Sequence, residues 1–398
     1  MWLKIEPLDV WLFRGSRPFA AGEVFRAASQ FPPPPLALVG ALRAAMIRHR
    51  GGDPEAFRGD EILGGATSLG QLRFRGPFLL NPEGGLVLPA PRDVLVEKEG
   101  GSFPTVLTVR RPAWPGLAMA PPCLPYQLVS AKSGLETLDE LDAGGPAGLK
   151  GESLTNYLRR ADISDALHAE PVAYREPRLG IKLQAGRTVA TGYIYTVDFI
   201  RLAEGAAFLL EVSCREGEAT ALLPPQGFLA LGGEARGAYC QQVAAEELPP
   251  PLAATAWEEH CQEILEALVG QRGFFLYLLT PAIFARGWLP DGVQEQDGAY
   301  FWQLPGTSLT ARLVAAAVGK GEPLGGWNLL TQSPRPLYKT VPAGSVYFFE
   351  TDDRLDAATA ATLLKNWHWH SLMTAQPFYA AAGFGLAAVG SWNPEEVA

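Results

Sequence analysis

Apolar residues in this chain come in short runs interrupted by glycine and proline. Leu3 to Phe13 alternates loosely and is rich in β-formers, which predicts a strand. Leu36 to Arg50 sets Leu38, Leu42, Ala45 and Ile47 at helical spacing and stops at Gly51-Gly52, which predicts a helix. Leu72–Leu80, Leu86–Leu88 and Ala207–Cys214 read as strands, and Gly180–Leu202 reads as a hairpin with a basic first half and a strongly β second half. Ala253–Val269 carries Trp257, Cys261, Ile264, Leu265 and Leu268 on one side, the stripe of an amphipathic helix. Beyond it the pattern predicts a strand over Phe274–Phe284, a helix over Leu309–Val318, a strand over Ser345–Glu350 and a helix over Ala357–His368.

The pattern repeats: each half runs strand, helix, strands and then a glycine-rich segment. A helix laid on an antiparallel sheet in this order predicts an α+β chain of two ferredoxin-like, RRM-related domains. The first spans residues 1–250. It holds an irregular Gly/Pro-rich insertion over about 100–170, with one short helical piece near Leu154–Ala161, and a hairpin over about 171–201. The second spans residues 251–398, after the linker Pro249–Pro251, and ends in a glycine-rich loop.

Composition narrows the function classes. The chain has 398 residues, 47% hydrophobic and 19% charged, enough apolar material to exclude global disorder. There is no uncharged apolar run of membrane-spanning length, and the N-terminus does not read as a signal peptide. Cys123, Cys214, Cys240 and Cys261 are scattered, which excludes a disulfide scaffold and CxxC zinc modules. The expectation is a soluble cytoplasmic protein. The net charge of −9 is uneven: residues 1–111 are +3, 112–170 are −4, 171–201 are +3, 202–298 are −10 and 299–398 are −1. Phosphate contacts act within about 8–10 Å in physiological salt. Two basic segments and one acidic block therefore fit either an RNA face with a separate acidic face, turned to solvent or a protein partner, or a solvated mosaic.

Motifs remove most catalytic classes. There is no P-loop, no credible G-x-G-x-x-G, no G-x-S-x-G and no H-E-x-x-H. His368 and His370 sit two apart at a helix end, where they face different sides and read as dipole-favoured C-terminal histidines. His260-Cys261 reads as structural. His49 is the one histidine beside the N-terminal loop, where a general base for RNA cleavage remains an alternative. Asp352, Asp353 and Asp356 precede a helix and read as its N-cap, with a Mg²⁺ site as the alternative. The loop Arg14-Gly15-Ser16-Arg17-Pro18-Phe19 is more informative. Two guanidinium forks and a hydroxyl suit phosphate, and Phe19 suits an unpaired base. The competing reading is a surface loop paired to Asp9 or Glu23. Two glycine-rich segments, Leu231–Gly237 with Arg236 and the one around Gly383 and Gly385, fit either close phosphate approach or tight turns.

Six segments in collinear order resemble one family. They are PLDVWLFRGSRPF, FPPPPLALVGALR, GIKLQAGRTVATGYIYTVDFIRL, LGGEARGAY, GGWNLLTQSPRPLYKTVPAGSVYFFE and AGFGLAAVGSW. Together they resemble the third RAMP subunit of the Cmr complex, a type III-B CRISPR effector. The resemblance implies a non-catalytic scaffold without cofactor or metal that binds the repeat-derived 5′ tag of crRNA. It implies docking of the large polymerase/cyclase-like subunit beside a backbone RAMP subunit. It also implies a hairpin thumb around Arg175–Tyr195, next to the target RNA. Arg14, Ser16, Arg17 and Phe19 match the family's N-terminal loop and are the expected tag contacts. Gly40 and Arg43 match its first-helix motif, Lys182 and Arg187 its thumb, Lys339 its PRPLYKTVPAGS segment, and Gly383 and Gly385 its glycine-rich loop. Ala20 stands where an acidic residue is expected, leaving Glu23 as the nearest carboxylate. A metal-independent RAMP endoribonuclease and the tag-binding subunit of a type III-A complex are the alternative readings.

Overall fold

The computed structural model describes residues 1–15, 26–97, 105–110, 124–129, 135–137, 148–168, 170–183, 189–217, 219–328, 331–371 and 376–396. Residues before 250 build one seven-stranded sheet. Its strands are β1 (Trp2–Pro7), β2 (Leu72–Leu80), β3 (Leu86–Leu88), β4 (Leu149–Lys150), β7 (Ala207–Cys214), β8 (Gln226–Leu231) and β9 (Arg236–Val243). The remaining two long strands of this half, β5 (Ala173–Leu183) and β6 (Val189–Leu202), form the hairpin that stands outside the sheet. The sheet order is β4-β3-β2-β7-β1-β9-β8, with every neighbour antiparallel. Helix α1 (Pro35–His49) starts on Pro35, whose ring presets the helical φ and whose missing N–H costs nothing at that position. Its Leu38, Val39, Leu42 and Met46 join Leu3, Ile5, Phe74 and Leu229 in one core.

The second half repeats the plan. Helix α3 (Ala254–Leu268) leads into β10 (Gly273–Leu278), β11 (Val293–Gln296), β12 (Ala299–Gln303), β13 (Thr310–Ala317) and β14 (Val346–Thr351). Then come α4 (Ala357–Trp367), β15 (His370–Ser371), α5 (Pro377–Ala381) and β16 (Leu386–Trp392). The sheet order is β11-β12-β13-β14-β10-β16-β15. In both halves the four central strands, numbered by their place in the chain, lie 2-3-1-4, the strand order of a ferredoxin-like sheet. Neither half carries both crossover helices: α1 follows the first strand of one, and α4 the third strand of the other.

The helix expected over Leu309–Val318 is strand β13. Thr310 and Arg312 face solvent while Ala311 and Leu313 are buried, a period of two, and β12 and β14 pair with it on either side. Alanine favours helix locally, but two waiting ladders decide the outcome. The strand expected over Leu3–Phe13 ends at Pro7; the Leu8 N–H still donates to the Gly237 carbonyl at 3.2 Å, and Trp11 then exchanges backbone bonds with Ile200 of the hairpin (2.9 and 2.8 Å). The piece near Leu154–Ala161 is α2 (Leu154–Leu158). Asp356 caps α4 as expected, accepting from the Thr359 N–H at 2.8 Å, and that bond holds its carboxyl below the usual carboxylate range.

The two halves share apolar interior. Phe78, Leu80, Leu88 and Leu209 of the first sheet belong to the same buried cluster as Tyr277, Phe348 and Trp369. No helix among the described residues is long and apolar enough to cross a membrane. Among the described residues no group of three His, Cys, Asp or Glu side chains is placed to hold a metal ion.

Candidate nucleic-acid interface

The hairpin corrects the picture drawn from counting charges. Arg178 reaches Glu176 at 2.6 Å and Asp9 at 3.3 Å, while Arg201 reaches the same two carboxylates at 2.6 and 2.9 Å. The arginines hold both carboxyls below their ordinary range, Arg201 contributing most. Arg175 donates to the Ser29 carbonyl at 2.8 Å. Three of the five cations in 171–201 are thus engaged within the protein, where they brace the hairpin base and tie it to Asp9, just past β1, and to Ser29. Arg178 and Arg236 also stand 5.1 and 4.7 Å from the centroid of the buried Phe199 ring. Lys182 lies on β5, its side chain outside the described residues, as is the whole of Arg187.

Arg14 is exposed and bridges to Ser29; Ser16, Arg17 and Phe19 lie outside the described residues. The glycine-rich turn at Gly232 is a packing feature. Gly233 N–H donates to the Leu12 carbonyl at 2.7 Å, and Arg236 pairs with Glu234 at 2.6 Å. Gly383 and Gly385 are buried. Gly383 has φ +93°, and a Cβ there would lie 2.7 Å from the Gly76 carbonyl oxygen on β2. Its N–H donates to Ala380, that of Gly385 donates to Pro281, and its carbonyl accepts from Thr280 Oγ1 at 2.7 Å. This loop closes the contact between the two halves, with those backbone groups already occupied. Lys339 stands exposed on the short strand Tyr338–Lys339.

Helix α1 presents a different surface. Gly40 is exposed, and a Cβ there would meet no atom within 4 Å. A mid-helix glycine costs about 0.5–1 kcal/mol relative to alanine, and nothing inside the protein requires it. One turn on, on the same face, Arg43 lays its guanidinium 5.8 Å from the Phe57 ring centroid. Its Nε and Nη2 are buried and have no hydrogen-bond partner among the described residues. Burial, then the charge of Arg335, holds its pKa below the ordinary guanidinium value. Arg335, which stands between prolines in the same segment as Lys339, escaped the sequence reading. Its only signal there was a second cation four residues before Lys339.

The histidines occupy structural places. His49 is exposed at the last turn of α1, and no hydrogen bond among the described residues joins it to another titratable group. His368 is 3% exposed, and its Nδ1 accepts from the Val389 N–H at 3.1 Å. Its ring proton therefore sits on Nε2 and is donated to His260 Nε2 at 3.0 Å. His260 in turn carries its proton on Nδ1 and donates it to Thr155 Oγ1 at 2.6 Å. Both rings are neutral and lie beside Trp257. Burial pushes the His260 pKa down to about 4. Burial and the neighbouring His260 and His370 hold His368 well below the usual imidazole range. The dipole-favoured cation expected at the end of α4 is instead a buried neutral imidazole.

A cavity of about 110 Å³ opens at the N-terminal end of α1, between the halves. Its walls are mostly apolar, including Phe31, Phe78, Leu279 and Phe384, and Gln30 bonded to Glu322 at 2.9 Å also lines it.

Among solved structures the chain is similar to a chain of the type III-B Cmr-beta complex bound to cognate target RNA and AMPPnP, seen by cryo-EM. The identity is 14% over 87% of this chain and 86% of that one, with a TM-score of 0.46. A chain of the same complex bound to cognate target RNA alone gives 13% identity, 87% and 86% coverage, and a TM-score of 0.46. A chain of the crystal structure of the Csm3–Csm4 subcomplex of a type III-A interference complex gives 11% identity, 89% and 94% coverage, and a TM-score of 0.33. No curated protein matches the sequence. The family model described as CRISPR-associated protein (Cas_Cmr3) matches residues 3–392, from the first strand to the last, so the chain belongs to the Cas_Cmr3 family and is a component of the Cmr complex.

Proposed function

We propose that this chain is a non-catalytic, RNA-binding scaffold subunit that holds the repeat-derived 5′ tag of crRNA. In this role it docks the large polymerase/cyclase-like subunit onto the backbone RAMP subunit. The observation that carries the reading is the open face of α1. Gly40 leaves room for close approach, and one turn on Arg43 has two buried guanidinium nitrogens with no acceptor among the described residues. The hairpin base has its cations paired, by contrast, and serves as a mount. Lys182 and Arg187, farther along the hairpin, are the candidates for the guide–target duplex. Arg14, Ser16, Arg17 and Phe19 of the N-terminal loop are further candidates for the tag by resemblance, and the exposed Lys339 adds a cation from the second half. Gly383 and Gly385 act through packing, by holding that half in place. The acidic helix α3 exposes Glu258 and Glu259, which repel phosphate and suit a protein neighbour or solvent.

The test mixes the chain with its large partner subunit and compares crRNA carrying the intact 5′ tag with the same RNA carrying a scrambled tag. The expected result is a clear preference for the intact tag that an Arg14→Ala/Arg17→Ala double variant loses. Equal binding to both RNAs would overturn tag recognition. In the same reactions the RNA is expected to stay intact in EDTA; specific cleavage removed by His49→Ala would overturn the non-catalytic reading.

A further inference from the structure

Arg26 lies on the two-residue strand Arg26–Ala27, which pairs in parallel with β6 at Thr196 and Val197 and forms one edge of the hairpin sheet. Its Nε donates to Asp198 Oδ2 at 2.7 Å. Asp198 is 1% exposed, and its other oxygen is buried with no partner among the described residues. The Arg26 side chain remains 65% exposed, and among the described residues nothing bonds to its Nη1 or Nη2. A buried carboxylate thus grips one side of the guanidinium and leaves its outer pair of nitrogens to solvent. Three residues share this face in register: Leu179 on β5 lies opposite Thr196 on β6, and Thr196 lies beside Arg26. Leu179 is 72% exposed and stands two strand spacings, about 10 Å, from Arg26. Asp198 is the one carboxylate that β5 and β6 place on this face; Glu176 stands on the opposite face, held by Arg178 and Arg201. The exposed Arg14 comes to the same mount, bridged to Ser29, whose carbonyl accepts from Arg175.

Burying a carboxylate against one exposed cation is a costly way to stabilise a strand, since an apolar pair of similar volume is often at least as stable. What the carboxylate supplies is orientation. A guanidinium fixed in advance loses little freedom on binding, and its two outer nitrogens present a planar fork to two oxygens of one phosphate. The row beside it decides the class of ligand. A nucleotide uses the guanidinium, the Thr196 hydroxyl and the apolar ledge of Leu179 together, through its phosphate, sugar and base. A carboxylate of a protein side chain uses only the guanidinium.

We propose that Arg26, oriented by Asp198, holds one phosphate of single-stranded RNA on the outer face of the hairpin, and that Leu179 lies against the adjoining nucleoside. The inference rests on the RNA-binding reading above and extends the RNA path from Arg14 onto the hairpin. Arg26 touches the RNA; Asp198 is a positioning residue that acts through it.

The test uses the full chain mixed with its large partner subunit and a single-stranded RNA carrying the tag, with affinity measured over a series of KCl concentrations. One phosphate contributes about 0.7 to the slope of log affinity against log salt for a single strand. The double variant Arg26→Gln/Asp198→Asn keeps the net charge and replaces the ion pair by two amides, so its Tm should stay near that of the wild type. Its slope should fall by that one step and its affinity about tenfold. Arg26→Gln alone should lose the same step with a lower Tm, because Asp198 is left buried without its cation. Arg26→Lys should restore the Tm but not the affinity, since a single ammonium cannot serve the carboxylate and the phosphate as a fork does. Leu179→Ala should weaken binding with the slope unchanged. A double variant with wild-type slope and affinity would reduce the pair to a fold anchor and overturn the proposal, while the RNA-binding reading stands. Full recovery of affinity by Arg26→Lys would overturn the role given to Asp198, and wild-type affinity in Leu179→Ala would overturn the nucleoside contact. If the wild-type chain adds nothing to the RNA affinity of the partner subunit, the proposal and the reading beneath it both fall.

Discussion

Acidification should destabilise this protein steeply below pH 6.5, and the His260–His368 pair is the reason. Protonating His260 would place a second N–H against the Nε2–H of His368. Protonating His368 would place one against the Val389 N–H. The folded pKa values lie below the unfolded one, so the unfolded chain binds more protons at mildly acidic pH. Stability from the pair is complete above about pH 6.5 and is lost as pH falls toward the folded values. His260 alone, with its pKa pushed down to about 4, accounts for about 3 kcal/mol over that interval. His368 adds to it in the same direction. Urea denaturation at a series of pH values checks the slope. His260→Gln should flatten it, and a slope identical to wild type would remove the pair as the cause. His368→Ala should cost about 3–5 kcal/mol at neutral pH, since it opens a cavity and leaves the Val389 N–H and His260 Nε2 unpaired.

The second large effect is expected at Asp93 and Arg160. Asp93 is fully buried, accepts from Tyr157 Oη at 2.7 Å and stands 2.6 Å from Arg160 Nη2. The guanidinium lies 4.2 Å from the Phe275 ring centroid and 5.1 Å from that of Phe348, so a carboxylate of the first half reaches a cation lodged on the second sheet. Removing one partner leaves a bare buried charge. Arg160→Ala should therefore cost about 3–5 kcal/mol. The double variant Asp93→Asn/Arg160→Met should cost clearly less than the two single changes together, because it removes both charges at once. Urea midpoints of Asp93→Asn, Arg160→Met and their double variant test this, and simple additivity would mean that the pair does not tie the halves together.

Local pattern and tertiary structure divided the description of this chain. Helices α1, α3 and α4, strands β2, β3 and β7, and the Asp356 cap were legible because each is written in a short window: apolar spacing, a glycine stop, a capping carboxylate. The family was legible too, in six collinear segments. Strand β13 was not, because alanine-rich sequence favours helix until two neighbouring ladders claim it. The site was legible in part. Gly40 and Arg43 lie three apart, a spacing that puts them on one helix face.

The sequence by itself determined which residues could form a positive surface and which class of fold would carry them. Only the tertiary structure decided which cations are free to act. A guanidinium counts the same in a net charge whether it faces solvent or a carboxylate. Arg175, Arg178 and Arg201 found acceptors in Ser29, Glu176 and Asp9, whereas two guanidinium nitrogens of Arg43 are buried with no partner among the described residues. His260 and His368, 108 positions apart, became one buried neutral pair for the same reason: hydrogen bonds and desolvation act through space, and the sequence records only the order along the chain.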